Sequence, residues 1–369
     1  MAEAYVDLDA VAHNTRLLTE AAGGASVMAV VKANGFGHGA VPVAQTALEH
    51  GATWLGVTSP AEALALRAAG LTAPTLIWMY PPTETFADLL PAGVDISVGS
   101  IAALEAVAGA AERAGLVAQV HLKADTGMSR GGATADEWPE LVAWARKFEL
   151  AGLLRVRGVW SHLANAETPG DPGLQRQLQA FDLARRTAAG ARIEPPITHL
   201  ANSAAALQLP QTRFDLVRIG IALYGIEPVP GRTFGLRPAM TVQAQILLTK
   251  RVPAGTGVSY GPDYYTDRET TLALVPLGFA DGVPRQSAGR ACVAVQGVRC
   301  PVVGRVSMDQ IVVDVGELPV GPGDLAVMLG PGTDGEPTAA EWAEWAGTNP
   351  NDILTGIGAR LPRRYGPVQ

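Results

Sequence analysis

Between Ser26 and Tyr224 the chain repeats one pattern: a short apolar or β-branched run, a polar or glycine-containing loop, then an alanine-rich stretch of helical periodicity. The runs are VMAVV (27–31), WLGV (54–57), TLIWM (75–79), VDIS (94–97), VAQVHL (117–122), RGVWS (157–161), ITHL (197–200) and DLVRI (215–219). Segments such as AVPVAQTALEH, IAALEAVAGAAERAG and LQRQLQAFDLARRTAAG separate them. Strand alternating with helix predicts parallel strands joined by crossover helices. Eight such units predict a closed (β/α)8, TIM-like barrel; an open doubly wound sheet is the alternative that the pattern allows.

After about Arg232 the texture changes. TVQAQILLTKRV, ETTLALVPLG, RACVAVQG, CPVVGRVSMDQIVVDVG and DLAVMLG read as strands between glycine- and proline-rich turns, which predicts a mainly antiparallel β domain. Short helices are expected at TAAEWAEWAG and NPNDILTGIG. The expected division is a barrel over residues 11–232 and a β domain over 233–369.

Composition narrows the class. A chain of 369 residues is long enough for about two domains. With 48% hydrophobic and 17% charged residues it can bury a large core, which excludes global disorder. No apolar run reaches the length of a membrane span, so no membrane partner is expected. The opening MAEAYVDLDAVAHN lacks a basic stretch followed by an apolar one, so a cytoplasmic location is expected. The net charge of −7 argues against a sequence-independent grip on nucleic acid. Cys292 and Cys300 flank one turn. A two-residue turn at Gln296-Gly297 would put them on opposite faces and a three-residue loop would pair them; reduced core thiols are expected, and no cysteine cluster suits a metal.

Candidate chemistry begins with lysine. Of 28 basic residues four are lysines, Lys32, Lys123, Lys147 and Lys250, and arginine does not form Schiff bases. Lys32 ends the first run, in VVKANGFGHGA. A loop lysine is ordinarily a solvated charge, but a strand-end position in a barrel suits a Schiff-base lysine. The neighbouring glycines make no P-loop, because the lysine precedes them, and they lack the GxGxxG spacing. The fifth run leads into HLKADTGMSRGG, where Lys123, Asp125 and Arg130 form either a solvated loop or a cation cluster for an acidic ligand. His162 and His199 end the sixth and seventh runs. Asn202-Ser203 precede a helix, and Arg218-Ile219-Gly220-Ile221 close the eighth run. Small or polar residues at helix starts present amides to an anion, and the loops after strands seven and eight are the usual phosphate site of this barrel. Ser203 reads equally as a plain helix cap. A Schiff-base lysine and a phosphate cradle on one rim point to pyridoxal 5′-phosphate (PLP).

The sequence resembles the alanine racemase family. The matching stretches are VVKANGFGHGA, KADTGMSRGG, SHLANAE, ANSAA, RIGIALYG, VSYG, PLGFADGVPR, GRVSMDQ and LPRRYG, in family order over nearly the whole chain. The resemblance implies a β domain that also takes the first strand, residues 1–10. It implies a PLP-dependent racemase that interconverts L- and D-alanine, supplies D-alanine for peptidoglycan, and works as a homodimer with shared active sites. Lys32 resembles the lysine that bonds PLP, and Tyr260 the opposite base, supplied by the other subunit. Arg218 resembles the arginine facing the pyridine nitrogen, with His162 beneath the ring. Arg130 resembles the residue near the phenolic oxygen and substrate carboxylate, and Lys123 a lysine often carbamylated. Asn202, Ser203, Gly220, Ile221 and Tyr365 fall at cofactor-binding positions, most of them around the phosphate. Met308 and Asp309 match substrate-side residues from the partner, and Arg285 and Arg305 lie in motifs lining the entrance. Phe36 and Phe279 stand where tyrosine is usual, and Ser307 where cysteine is common. Other readings are a racemase of serine, lysine or ornithine, a barrel-type PLP decarboxylase, and a non-catalytic PLP-binding protein.

Overall fold

The computed structural model describes residues 1–261 and 263–366; the last three residues of the expected β domain lie outside the described residues. The chain opens with a short strand, β1 (Glu3–Val6), and then runs through eight parallel strands. These are β2 (Ser26–Val30), β3 (Trp54–Val57), β4 (Thr75–Ile77), β5 (Val94–Val98), β6 (Ala118–Lys123), β7 (Leu154–Trp160), β8 (Ile197–His199) and β9 (Leu216–Ile219). They follow one another around the ring, and β9 pairs with β2. The last gap, between β8 and β9, is bridged where the Asp215 N–H donates to Thr198 O (3.1 Å) and the Arg218 N–H to Ala201 O (3.0 Å). The (β/α)8 barrel expected from the pattern forms, nearly closed. Its strands read as continuous apolar runs because both faces are covered: every residue of β3, β4, β5 and β9 is buried.

The outer helices begin where local chemistry allows. Ser59 and Glu62 make a reciprocal capping box ahead of the helix Pro60–Ala68, whose proline at the first position loses no needed donor. Ser100 caps the helix Ile101–Ala114, which ends at Gly115 in the left-handed region (φ 64°). Among the described residues no helix is long and apolar enough to cross a membrane.

The second sheet holds β10 (Met240–Gln245), β11 (Leu248–Val252), β12 (Thr270–Val275), β13 (Cys292–Val295), β14 (Val298–Val303), β15 (Ile311–Gly316), β16 (Leu325–Leu329) and β17 (Arg363–Tyr365), together with β1. All its pairings are antiparallel except β1 with β17. Two runs expected as single strands are each split. The run 241–252 turns a corner after Gln245: Ile246 donates to Asp324 O beside β16, whereas Leu247 donates to Leu274 O in β12. The run 300–316 breaks between β14 and β15, over residues 304–310. The β13–β14 hairpin turns through Gln296 (φ 52°) and Gly297 (φ 76°), the two left-handed positions of a two-residue turn. Val293 therefore faces Cys300, and the cysteines stand on opposite faces, unbonded. Because β1 joins β10 and β17, both chain ends enter this sheet, and β17 carries Tyr365 back to the mouth of the barrel.

Candidate active site

Lys32 follows β2 and Val31 and begins a turn of unusual hand. Ala33, Asn34, Gly35 and Phe36 all have φ between 50° and 63°. A left-handed turn costs roughly 1–2 kcal/mol per non-glycine residue, so its surroundings must hold it. They do so from several directions. Glu62 accepts from the Ala33 N–H (2.7 Å), Asn34 Oδ1 accepts from Ala40 N–H (3.0 Å), and the Tyr224 hydroxyl donates to Val30 O (3.0 Å). His38 Nδ1 lies 3.1 and 3.0 Å from the carbonyls of Gly35 and Phe36, so it is the donor there. The Phe36 ring packs on Tyr224 at 4.7 Å. The turn presents the Lys32 amine at the mouth, 5.9 Å from the centre of the Phe36 ring.

Around that amine the charges are mostly positive. Burial, then the Arg130 charge, holds Lys32 below the usual lysine range, with Glu62 acting the other way. Burial, Arg130 and Arg218 bring Lys123 down to about 8, opposed by Asp125. His162 falls to about 3 through burial and the charges of Arg218, Arg130, Lys123 and Lys32. Lys32, Lys123, Arg130, His162 and Arg218 thus feel one another across one rim. Such a site favours an anionic ligand and neutral amines.

Arg218, at the end of β9, is buried, and burial lowers it to about 9, which leaves it cationic near neutrality. It donates to Ser161 O (2.9 Å), Leu200 O (3.1 Å), His162 Nδ1 (3.1 Å) and His199 Nδ1 (3.2 Å). The pairing with His162 leaves that ring's proton on Nε2. The Asn202 side chain, not Ser203, caps the helix Ser203–Gln208, accepting from Ala205 N–H (3.1 Å). Reading Ser203 as a helix cap is thereby corrected. Its hydroxyl instead turns across to β9 and accepts from the Gly220 N–H (3.0 Å). Gly220 and Ile221 begin a short 3₁₀ turn there. A Cβ on Gly220 would stand 3.3 Å from Phe36 Cζ, so the Phe36 ring and the Gly220 backbone enclose the same corner.

Tyr365 reaches this rim from the second sheet. A Cβ on Gly39 would fall 2.0 Å from its hydroxyl. The neighbouring Arg363 donates to Gly37 O (2.9 Å), which ties β17 to the Lys32 turn. The other β-domain residues stand outward. Tyr260 is 74% exposed and Met308 56% exposed, and both lie on loops of that sheet. Asp309 is held by Arg360 (2.7 Å), and Arg305 by Asp263 (2.6 Å). Arg285 and Phe279 are exposed nearby in the chain. One chain therefore assembles Lys32, Lys123, Arg130, His162, Asn202, Ser203, Arg218, Gly220, Ile221 and Tyr365 around one barrel mouth, and leaves Tyr260, Met308 and Asp309 facing out.

Glu62, Tyr224, His121 and Asp95 support the site and had no assigned role in the sequence. Glu62 could have been noticed as the acid of a capping box. For the other three, only packing inside the barrel supplies the signal.

Comparison with known proteins identifies the family of the fold. The family model for the alanine racemase N-terminal domain matches residues 6–228, and that for the alanine racemase C-terminal domain matches residues 239–365. The alanine racemase of Thermobifida fusca is 52% identical over 365 residues, covering 99% of this chain and 98% of its own. The crystal structure of alanine racemase from the D-cycloserine-producing Streptomyces lavendulae superposes with a TM-score of 0.97 at 47% identity, over 100% of this chain and 97% of that one. The alanine racemase of Bartonella henselae, which carries covalently bound pyridoxal phosphate, gives a TM-score of 0.89 at 30% identity over 99% of both chains. The fold thus defines a barrel protein with an appended, mainly antiparallel β sheet. The chain belongs to the alanine racemase family.

Proposed function

We propose that this protein is a PLP-dependent isomerase that interconverts L- and D-alanine with two bases, Lys32 and Tyr260, in a homodimer with shared sites, and that its D-alanine serves peptidoglycan. The observation that carries the reading is the Lys32 turn: a strained loop, braced on many sides, holds one amine of lowered pKa inside a ring of cations. The residues present fit the cofactor. Its phosphate suits the corner of Ser203, Gly220 and Ile221, where a glycine keeps the backbone open, with Tyr365 and Asn202 beside it. Arg218 suits the pyridine nitrogen, and the neutral His162 suits the ring face.

When bound, PLP supplies the electron sink that makes an amino acid's α-proton removable. The chain's own groups do the rest. Arg130 orients the carboxylate, assisted by Lys123, whose amine near 8 is neutral often enough to accept the carbamylation implied by the resemblance. Lys32 takes or returns the proton on one face, and Tyr260 of a second copy does so on the other. Met308 and Asp309 of that copy border the substrate. Arg218, unlike an acid, does not hold a proton on the pyridine nitrogen, which restrains side reactions. Tyr260, Tyr265, Met308 and Phe279, each exposed on loops of the β domain, offer apolar surface to a second copy.

Borohydride reduction and peptide mapping test the reading, and should leave the pyridoxyl group on Lys32. A label on Lys123, Lys147 or Lys250 contradicts it. Chiral analysis of products from a panel of L- and D-amino acids should show alanine as the best substrate; serine, lysine or ornithine in first place makes it a different racemase.

Phe36 predicts a second result. A buried phenol donating to a phosphate contributes roughly 1.5–3 kcal/mol when charge-assisted. The Phe36 ring reaches the Gly220 corner without such a donor. Phe36→Tyr should therefore tighten PLP binding by about tenfold or somewhat more in titrations of apo-protein. Equal dissociation constants would make Phe36 a neutral packing change.

A further inference from the structure

A barrel of this kind is ordinarily filled by layers of branched apolar side chains. Here a polar column crosses the interior. Arg218 Nη1 lies 3.2 Å from His199 Nδ1, and His199 Nε2 lies 2.9 Å from His121 Nδ1. His121 Nε2 lies 3.0 Å from Asp95 Oδ2, and Arg157 Nη1 meets the two Asp95 oxygens at 3.1 and 3.2 Å. His121 and His199 are 0% exposed and Asp95 is 1% exposed. The column starts at the end of β9, on the site rim, and reaches Asp95 near the start of β5. Its packing is specific. His199 stacks on Trp160 at 5.3 Å with an interplanar angle of 5°, and a Cβ on Gly158 would fall 2.2 Å from His121 Nδ1.

The two ends set the direction of every hydrogen bond. A guanidinium only donates and a carboxylate only accepts. His199 Nδ1 must then be bare, and His121 Nε2 must carry a proton. One proton remains for the contact between the rings. On His199 Nε2 it leaves both rings neutral; on His121 Nδ1 it would create an imidazolium beside an imidazolate, which burial opposes. Burial, His121 and Arg218 all hold His199 well below the usual imidazole range, in keeping with the neutral pair. The donors therefore run from Arg218 to His199, to His121, to Asp95.

The geometry points to Asp95 as a positioning residue: it is the remote counter-charge of Arg218, and through two neutral histidines whose tautomers it fixes together with Arg218, it keeps the guanidinium oriented at the barrel mouth. The four partners of Arg218 are two carbonyls and two imidazoles, none of them negative. If the column ran the other way, His199 would aim an N–H at Arg218 and push it off its place. The consequence for the reaction rests on the reading that Arg218 faces the pyridine nitrogen.

Nitrogen NMR of the holoenzyme labelled at histidine tests the column directly. Both His121 and His199 should carry a proton on Nε2 alone; a proton on Nδ1 of either ring overturns the inference. Asp95→Asn keeps the shape and removes the charge, so the direction of the column rests on Arg218 alone. It should bring an Nδ1-protonated minority of His199 into view and lower kcat roughly ten- to hundredfold, the range for losing a group that orients a ligand, with KM changed less than about twofold. Arg157→Met removes only the outer, half-exposed partner, and should leave tautomers and kcat near native. Native kcat in Asp95→Asn, or equal losses in both variants, overturns the positioning role. Borohydride mapping of the same preparations separates the two failures: a label on Lys32 with native Asp95→Asn kinetics sinks only this inference, whereas a label elsewhere sinks the reading beneath it.

Discussion

Replacing Tyr260 by phenylalanine should lower racemisation by roughly 10²–10⁴-fold, the span expected for loss of a positioned acid–base group. The ring stays and only the phenol goes, so the PLP absorbance should persist. Loss should depend on the face. In deuterated water, α-proton exchange should fail mainly from L-alanine, while Lys32 continues to exchange D-alanine. Near-normal racemisation would remove Tyr260 from the mechanism. Because Tyr260 is exposed in one chain and Lys32 sits in the barrel mouth, the same variant also tests subunit sharing. Mixing inactive Lys32→Ala and Tyr260→Phe subunits should restore about a quarter of native activity. Random pairing makes about half of the dimers hybrid, and each hybrid has one of its two sites complete. No recovery from well-mixed subunits would show that both bases come from one chain.

Gly278→Ala should be strongly disruptive at the loop that carries Met308 and Asp309. A Cβ there would fall 2.1 Å from Met308 O, 2.3 Å from its carbonyl carbon and 2.5 Å from Asp309 N. These are backbone atoms, so no side chain can swing away. The two segments are also tied together: Phe279 donates to Ser307 O and Ala280 to Met308 O, each at 3.0 Å, and Asp281 accepts from the Gly278 N–H (2.9 Å). The added methyl must therefore part this pairing and displace Met308 and Asp309. Stability should fall by about 3 kcal/mol or more, as for severe overpacking, and KM for alanine should rise. A melting temperature and KM within error of native would show that the loop yields freely.

The barrel was legible because its signal is local and repeated eight times. A buried parallel strand must be apolar throughout, and its crossover helix must show a stripe, so each unit announces itself. The β domain was less legible at its corners. Nothing in TVQAQILLTKRV marks the place where one strand leaves β16 and β1 for β12, because both halves remain extended and the partners lie far off in sequence. The site divides in the same way. Lys32, Arg130, His162, Ser203, Arg218 and Gly220 stand at strand ends or on the segments that follow them, where a barrel rim collects them. Whether Ser203 serves as the helix cap or faces the anion corner was open in the sequence; the structure gives the cap to Asn202 and turns Ser203 to Gly220.

By itself the sequence determined the order of the elements, the alternation that makes a barrel, and the scarcity of lysine; whether the turn between the cysteines has two residues or three it left open. These follow from propensity and periodicity, which act between near neighbours. The tertiary structure decided what depends on distant contacts. It bent four residues after Lys32 into a left-handed turn against Glu62 and Tyr224, although an isolated chain would avoid that hand. It carried Tyr365 from the last strand to Gly39, and left Tyr260 exposed on a loop of the second sheet. It also joined Asp95, His121, His199 and Arg218 from four strands into one column. No spacing encodes that column, because its members share a barrel interior and not a stretch of chain.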